Sequence, residues 1–327
     1  MSTAAIAGIR AQLLDRRTRL ERALRESGAA ADLLELLGAV DSALGRLDTP
    51  AWSHCAVCGE SVDDDVLRAT PLAEYCLCSL SDRQRAALEH DLALARRVQL
   101  SLLPRQDVVA AGWHVHHRYI PAGVVSGDYC DLVGEGDSAA LFAMLGDVSG
   151  KGLAASLVMA RLNALVRSLV EQRLPPHDLV ARANRLFSEG AGDSHYATLV
   201  CARATPRGEL EICNAGHCPP LLLHGGHVTA VDSTGFPVGL VEHGEYETHR
   251  VSLAPGDTLL LYSDGVTEAV DAQGRLYGQY RLMTTLQANG HQSPGRMTSA
   301  ILADVDAHRG ATPRADDVTL MVVHRAA

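Results

Sequence analysis

Four acidic segments of this 327-residue chain each mark a point where an apolar, strand-like run gives way to glycine. A carboxylate at a strand end is held by the sheet yet lies at its rim, which suits hard, oxygen-preferring cations. A single Asp at such a position is more often a turn residue, because Asp-Gly and Gly-Asp pairs are common in turns. Four of them together predict a shared rim. The segments are Ser126-Gly-Asp-Tyr-Cys-Asp131, Leu145-Gly-Asp-Val-Ser-Gly-Lys-Gly152, Tyr262-Ser-Asp-Gly265 and Ala315-Asp-Asp-Val-Thr319.

Residues 104–327 consist of short β-like runs separated by Gly, Asp and Pro, with helical stretches inserted between them. Helices are predicted at 152–173 and near 178–188 from their apolar spacing. Locally paired strands with inserted helices favour an α+β layered fold over a repeating βαβ array. The predicted strands are His114–Ile120, Ala139–Leu145, Ala197–Ala202, Leu210–Asn214, Leu221–His224, Leu259–Tyr262 and Val318–His324.

Composition and charge exclude several classes of protein. The net charge of −10 and the lack of a basic block argue against nucleic acid as the main partner. No run approaches the ~20 apolar residues of a membrane span, and the N-terminus lacks a signal-peptide layout. We therefore expect a cytoplasmic protein without a membrane span. The glycine-rich segment 146–152 lacks the spacing of a phosphate-binding P-loop, which disfavours nucleotide binding.

The N-terminal region, residues 1–50, is predicted to form two amphipathic helices that break near Ser27-Gly28. Two short helices of this kind need a partner surface for their apolar stripes. A sensing or dimerisation module is one interpretation, and a plain helical cap is the other.

A small cysteine-rich unit is predicted at residues 51–80. Clustering of cysteines in a reducing compartment favours a metal over disulfides, so a structural Zn²⁺ is the first interpretation. Four reduced cysteines in a small core are the alternative. A DNA-binding zinc ribbon is disfavoured by the acidic run 63–65. The proposed ligands are Cys55, Cys58, Cys76 and Cys78, with His54 or His90 as possible replacements for one thiolate.

Residues 81–103 are predicted to form a linker helix that begins at a Ser81-Asp82 cap and ends before Pro104. Such a helix can transmit a change from the front of the chain to the domain at 104–327. An inert spacer is the alternative interpretation.

Six motifs follow one another in the second part of the chain: SGDYCD, GDVSGKG, NAGHCPPLL, TGFPVGL, YSDGVTEA and DDVTL. In this order they resemble the metal-dependent type 2C (PPM) protein phosphatases of the bacterial sporulation stage II E branch. The preceding LARRVQLSLLPRQ is similar to the branch's regulatory linker, so the resemblance begins near residue 92. It implies a layered β-sandwich flanked by helices. The resemblance does not cover the front of the chain, where we expect the helical region and the cysteine unit before the linker helix.

The resemblance also implies a site for two Mn²⁺ or Mg²⁺ ions. By motif position, Asp147 bridges the ions and the carbonyl of Val148 is a further ligand. Asp264 binds the first ion together with Asp316 or Asp317, of which the motif favours Asp316. Asp128 reaches the second ion, with help from Asp131. The catalytic set is Asp128, Asp147, Asp264 and Asp316.

Two departures from the family pattern leave the carboxylates untouched. Ser126 stands where the family usually has Gly, and Cys130 stands in place of an aromatic residue, which predicts sensitivity to oxidation. His217 in the NAGH motif is expected in a hydrogen-bonded loop beside the site, with a ligand role as the alternative. Lys151, the only lysine, either steadies the substrate phosphate or merely lies exposed on the turn.

The chemistry that the resemblance implies fits these residues. Two divalent ions held ~3.5–4 Å apart activate water and screen phosphoryl oxygens, so no protein nucleophile is needed. We expect a homodimeric serine/threonine phosphatase acting on a phosphorylated anti-sigma-factor antagonist, controlled through its N-terminal region and linker helix. A non-catalytic, phosphatase-like scaffold is the alternative.

Overall fold

The computed structural model describes residues 3–27, 31–47, 49–62, 80–134, 140–189 and 195–326, with the single positions 67 and 72. These residues divide into two compact units, Met1–Asp91 and Leu92–Ala327. The boundary lies within the linker helix.

The first unit contains two helices, α1 (Thr3–Ser27) and α2 (Ala31–Leu47), followed by a 3-10 turn at Pro50–Ser53. Both helices occur where the apolar spacing predicted them. Their apolar stripes meet in one core, and an ion pair joins Arg17 Nε to Asp41 Oδ1 at 2.9 Å. The core is formed by Ile9, Leu13, Val40, Ala43, Leu47, Trp52, Cys55, Val62 and Leu67.

Half of the predicted cysteine unit is described. Gly59 adopts a positive φ of 73°, its N–H bonds to the Cys55 carbonyl at 3.0 Å, and the Val57 N–H lies 3.4 Å from Cys55 Sγ. This is a tight turn around a buried Cys55 and an exposed Cys58. Cys76 and Cys78 lie outside the described residues, so zinc binding stays a prediction.

The linker helix α3 (Asp82–Leu102) begins and ends as predicted. A reciprocal cap closes its start, because the Ser81 N–H donates to Gln84 Oε1 at 2.9 Å and the Gln84 N–H donates to Ser81 Oγ at 3.3 Å. Pro104 prevents its continuation.

The second unit is a stack of four layers, with two antiparallel sheets between two layers of helices. One sheet has six strands in the order β1-β2-β11-β10-β7-β8, and the other has five in the order β3-β4-β5-β6-β9. The strands are β1 (Asp107–Ala110), β2 (Trp113–Ile120), β3 (Asp128–Gly134), β4 (Leu141–Val148), β5 (Ala197–Ala204), β6 (Glu209–Ala215), β7 (Leu221–His224), β8 (His227–Ala230), β9 (His249–Ser252), β10 (Thr258–Tyr262) and β11 (Val318–Arg325).

Helices cover the outer face of each sheet. On the five-stranded sheet lie α4 (Gly152–Val170) and α5 (Pro176–Ser188), and on the six-stranded sheet lie α7 (Gln279–Asn289) and α8 (Pro294–Arg309). A single turn, α6 (Asp264–Thr267), follows β10. The layered α+β architecture is the one predicted.

Three buried clusters hold the layers together. The middle one lies between the sheets, where strands with alternating inward residues contribute Trp113, Val115, Leu145, Leu261 and Met321 among others. Burial at roughly 25 cal/mol per Å² of apolar surface makes such clusters the main source of stability. Among the described helices, α4 alone is long and apolar enough to span a membrane, but it packs on the five-stranded sheet through Met159, Leu162 and Val166.

Candidate active site

Asp128 and Asp147 define one side of the candidate site, at the rim of the five-stranded sheet. They are direct partners in the antiparallel pairing of β3 with β4. Asp128 is 1% exposed, and Asp147 is half-buried at the point where β4 runs into the glycine-rich turn. Side chains of directly opposed residues lie close together, so two carboxylates meet here.

The six-stranded sheet provides the other side. Asp264 follows β10 directly and begins α6, while Asp316 and Asp317 precede β11, the neighbour of β10. The two strand ends are tied together, since the Ser263 N–H donates to the Thr319 carbonyl at 3.0 Å and the Thr319 N–H donates to Ser263 Oγ at 2.9 Å. All four acidic segments therefore reach one rim, as predicted.

Two contacts join the rims of the two sheets. Thr319 Oγ1 on β11 donates to Asp128 Oδ2 on β3. The carboxylate of Asp317 accepts from the Ala122 N–H at 2.7 Å and from the Gly127 N–H at 3.0 Å. Asp317 is thus occupied in holding the loop before β3, with both oxygens on main-chain amides.

Asp316 has a different environment from its neighbour. Its Oδ2 lies 3.1 Å from Nζ of Lys151, which also donates to the Ala315 carbonyl at 2.8 Å. Lys151 is therefore a bridge between the glycine-rich turn and the start of β11. The other oxygen of Asp316, Oδ1, accepts from the Asp317 N–H at 3.0 Å, so only one of its oxygens is bonded to the main chain, whereas both oxygens of Asp317 are.

Burial and neighbouring negative charges raise the pKa values of three rim carboxylates. Burial, followed by the charges of Asp264, Asp316 and Asp317, raises the pKa of Asp147 to about 7, with Lys151 acting in the opposite direction. Burial and then Asp147 raise the pKa of Asp128 well above its ordinary value. Burial and then Asp316 raise the pKa of Asp264. The mutual effects show that these side chains share one electrostatic site.

Glycines allow the main chain to approach the carboxylates. A Cβ on Gly127 would lie 3.2 Å from the Val148 carbonyl oxygen and 3.4 Å from Asp147 Oδ1. A Cβ on Gly265 would lie 2.0 Å from the Asp317 carbonyl oxygen, which no side chain tolerates. The glycine of the SDG motif is therefore required for packing at the rim, whereas a side chain at Gly127 would need a small shift of its neighbours.

The donor set fits Mg²⁺ or Mn²⁺, which prefer carboxylate and carbonyl oxygens. Among the described residues, no three His, Cys, Asp or Glu side chains stand together as a complete ligand set for one ion. Mg²⁺ sites need only one or two carboxylates, because the ion keeps several waters. Crowded negative charge with Lys151 as the opposing cation is the feature that a divalent ion would neutralise.

Asp131 does not belong to the site, contrary to the expectation that it assists Asp128. It is completely buried on the helix-facing side of β3, where Arg167 of α4 donates to it through Nε at 2.7 Å and Nη2 at 2.8 Å. Side chains three positions apart on a strand point to opposite faces of the sheet, which separates Asp131 from Asp128.

The environment of Cys130 also differs from the one that its predicted sensitivity to oxidation requires. It is 2% exposed, and burial raises the pKa of its thiol well above the ordinary value, with Asp131 adding to the effect. A buried, protonated thiol is a poor target for oxidation. The sensitivity to oxidation that the sequence predicted is therefore not supported.

His217 occupies a hydrogen-bonded loop, as expected. The Asn214 side chain accepts from the His217 N–H at 2.8 Å and donates to its carbonyl at 3.1 Å. Burial lowers the pKa of His217 to about 4, against a smaller opposing effect of the Tyr262 carbonyl. The ring is thus neutral at pH 7.

Several residues near the site were not singled out by sequence reasoning. Gln99 of α3 is buried and bonds to the main chain of Ser126 twice, through Nε2 to the carbonyl at 2.6 Å and Oε1 to the N–H at 3.0 Å. Cys218 feels the charges of Asp264 and Glu268 in addition to burial, and its pKa rises to about 12. Thr319 lies in the DDVTL motif and Gln99 in the segment LARRVQLSLLPRQ, so their positions in these motifs were the sequence signal that could have found them.

Comparison with known proteins assigns the fold to a family. Residues 137–326 match the family Stage II sporulation protein E (SpoIIE). The chain belongs to the SpoIIE family. The match includes Asp147, Asp264 and Asp316 but begins after Asp128.

Curated relatives agree with this assignment. The chain is 27% identical over 192 residues to phosphoserine phosphatase RsbU of Bacillus subtilis, which covers 58% of this chain and 57% of RsbU. It is 26% identical over 264 residues to protein IcfG of Synechocystis, covering 72% of this chain and 41% of IcfG. The chain thus spans about half the length of the curated relatives it matches.

Solved structures share the SpoIIE-type PP2C fold. The SiaA-PP2C domain of Pseudomonas aeruginosa superposes with a TM-score of 0.64 at 19% identity, covering 73% of this chain and 97% of that domain. The RsbU and RsbW domains of Rv1364c from Mycobacterium tuberculosis give a TM-score of 0.58 at 26% identity, covering 69% and 62%. The second unit therefore has a PP2C-type fold.

Proposed function

We propose that the chain is an active, metal-dependent protein serine/threonine phosphatase. The observation that carries the proposal is the meeting of Asp128, Asp147, Asp264 and Asp316, from four separate segments, in one acidic rim, where the pKa values of the first three are raised. Structural acids are normally paired with cations, whereas here the charges of neighbouring carboxylates act on Asp128, Asp147 and Asp264, and Lys151 pairs with Asp316. Such perturbed groups are typical of functional sites.

Two divalent ions, Mn²⁺ or Mg²⁺, would be held by the side chains of this rim. In the proposed assignment Asp147 contributes to both positions and the Val148 carbonyl to one of them, Asp264 and Asp316 contribute to the first, and Asp128 to the second. When bound, such ions supply positive charge for the phosphoryl oxygens and lower the pKa of the attacking water.

The surrounding residues hold this arrangement. Thr319 fixes the orientation of the Asp128 carboxylate, and Asp317 fixes the loop that presents Asp128. The charges of the rim carboxylates act on the thiol of Cys218. With a pKa of about 12, this thiol is protonated at neutral pH and unsuited as a nucleophile. The proposal therefore assigns the attack to water rather than to a side chain.

The proposed substrate is phosphoserine or phosphothreonine in an anti-sigma-factor antagonist. Support comes from relatives named phosphoserine phosphatase RsbU and RsbP, each of which matches more than half of this chain. A protein substrate also fits a rim that is open at the surface, where Lys151 is 64% exposed.

Control by the front of the chain is part of the proposal. Gln99 supports it, because its two hydrogen bonds connect α3 to Ser126, whose Oγ accepts from the Asp128 N–H at 3.0 Å. A displacement of the helix would therefore reach the loop that carries Asp128. We further propose a cytoplasmic homodimer with a structural Zn²⁺ in the cysteine unit.

The test uses the full chain with Mn²⁺ and a phosphorylated antagonist domain, with release of inorganic phosphate as the readout. D147A and D264A are expected to lose activity by at least about 100-fold, since each removes a group that acts on the reacting centre. D178A, at an exposed aspartate on α5, is the matched control. Phosphate release that is unchanged in D147A, or binding of the phosphoprotein without release by the wild type, would reject the phosphatase and favour the scaffold.

A further inference from the structure

Thr198 holds the main chain of Asp147 from the neighbouring strand. The two residues are direct partners in the pairing of β4 with β5. The Asp147 N–H donates to Thr198 Oγ1 at 3.1 Å, so the hydroxyl takes the position of a ladder acceptor. A Cβ on Gly146 would lie 2.5 Å from the Thr198 carbonyl oxygen. Glycine at 146 therefore allows the close approach on which this contact depends.

His217 holds Thr198 in turn. Its Nδ1 lies 2.8 Å from Thr198 Oγ1, and the imidazole is only 6% exposed. Two hydrogen bonds with the side chain of Asn214, itself completely buried, fix the main chain on which the ring is carried. The ring itself is held by its burial and by the contact of Nδ1 with Thr198.

The tautomer of His217 determines which acceptor the Thr198 hydroxyl uses. The hydroxyl can donate to His217 Nδ1 at 2.8 Å or to the Asp147 carbonyl at 3.3 Å. When the imidazole carries its proton on Nε2, Nδ1 is an acceptor, and the shorter contact to it is the stronger hydrogen bond. The oxygen lone pairs of Thr198 then face the Asp147 N–H, and the chain of donors runs from Asp147 through Thr198 to His217.

We infer that Thr198 and His217 are positioning residues that set the main chain at Asp147, and with it the direction of the Asp147 carboxylate and the Val148 carbonyl. The inference rests on the proposed function, because it treats these oxygens as metal ligands. It gives the NAGH motif a role at a distance from the ligands themselves. Partners of this kind orient metal ligands, and their loss usually weakens metal binding by about 10–100-fold.

The decisive comparison is between two substitutions of Thr198. T198V removes the hydroxyl with little change in shape, and T198S keeps it. Mn²⁺ affinity of the full chain, measured by calorimetry or by the electron paramagnetic resonance of free Mn²⁺, is expected to fall by about 10-fold or more in T198V and to stay within about twofold in T198S. H217L tests the same relay from its other end, and H217N, whose amide oxygen can replace Nδ1, is expected to retain most of the affinity.

The chain contains a matched control for this pair. Thr258 Oγ1 lies 2.9 Å from His324 Nδ1 on the six-stranded sheet, in a contact of the same chemistry that involves none of the proposed ligands. T258V should lower thermal stability to a similar extent as T198V, with Mn²⁺ affinity unchanged. A loss of affinity that merely follows loss of stability would then appear in both variants.

The outcomes separate the relay from the proposed function. Wild-type Mn²⁺ affinity in both T198V and H217L overturns the relay, as does equal weakening by T198S and T198V. The double variant T198V/H217L should be no worse than T198V, because both changes break one chain of contacts. If the wild type itself binds no Mn²⁺, while D147A behaves identically, the proposed function fails first.

Discussion

Asp128 and Asp147 lie directly opposite each other on adjacent antiparallel strands, at a place where oppositely charged or apolar pairs are usual. Like charges at this position destabilise a sheet. The pair persists here because burial and neighbouring acids raise the pKa of both carboxyl groups, which keeps part of the charge off the metal-free protein.

The stability of the metal-free chain should therefore fall as the pH rises. The pKa of Asp147 is raised from 3.8 to about 7, so between these values the folded state binds more protons than the unfolded state. The free energy of unfolding then decreases with increasing pH across this window. D147N should remove the penalty and stabilise the protein at pH 7.5 by on the order of 2 kcal/mol.

Urea unfolding with a chelator present, at intervals from pH 4 to pH 8, measures this effect. Addition of Mn²⁺ should restore the stability of the wild type at pH 7.5 and leave D147N unchanged. A wild-type profile that rises over the window would contradict the assignment.

Asp316 and Asp317 should separate into a functional and a structural aspartate. D316N is expected to reduce phosphate release by at least about 100-fold with little loss of stability, since its partner Lys151 is exposed. D317A should cost about 1–3 kcal/mol, because the N–H groups of Ala122 and Gly127 lose their acceptor. Thermal unfolding and Mn²⁺-dependent phosphate release, measured side by side, distinguish the two, and a reversed pattern would make Asp317 the ligand.

Removal of Arg167 should destabilise the domain without affecting catalysis. R167A leaves the completely buried Asp131 without its bidentate partner, at a cost of about 3 kcal/mol. R182A, at an exposed arginine on α5, is the control and should stay within about 0.5 kcal/mol of the wild type. Activity per folded molecule should equal that of the wild type in both. A selective loss of turnover in R167A would return Asp131 to the site.

Gln99 should connect the linker helix with the site. Q99A leaves the buried N–H and carbonyl of Ser126 without a protein partner, which we expect to cost about 1–2 kcal/mol. Turnover should fall as well, because Ser126 holds the Asp128 N–H. R97Q, at an exposed position of the same helix, is expected to change neither quantity. Wild-type turnover in Q99A, at a temperature where it is folded, would remove this route of control.

Most of the core was predictable because its strands follow ordinary apolar patterns. The strand at 128–134 was not, since its sequence reads as an acidic turn. It becomes a strand because Thr319 and Arg167, far away in the chain, satisfy Asp128 and Asp131. The short strands β8 and β9 are largely exposed and carry no apolar signal.

The convergence of Asp128, Asp147, Asp264 and Asp316 was predictable, the position of Asp131 was not, and the roles of the four as ligands stay a prediction. Acids at strand ends meet wherever those ends share a rim, so the motif positions were sufficient. The difference between Asp316 and Asp317 depends on the amides of Ala122 and Gly127 and on Lys151, which are contacts between distant parts of the chain. Spacing within a motif contains no information on such contacts.

The candidate ligands are divided between two sheets, with Asp128 and Asp147 on one and Asp264 and Asp316 on the other. The distance across the rim is therefore a property of the interlayer core, where Leu145, Leu261 and Met321 pack. The affinity of the site for cations should therefore depend on the spacing between the two sheets. A methylene added or removed in that core, well away from any acid, would change the distance between the two pairs of aspartates.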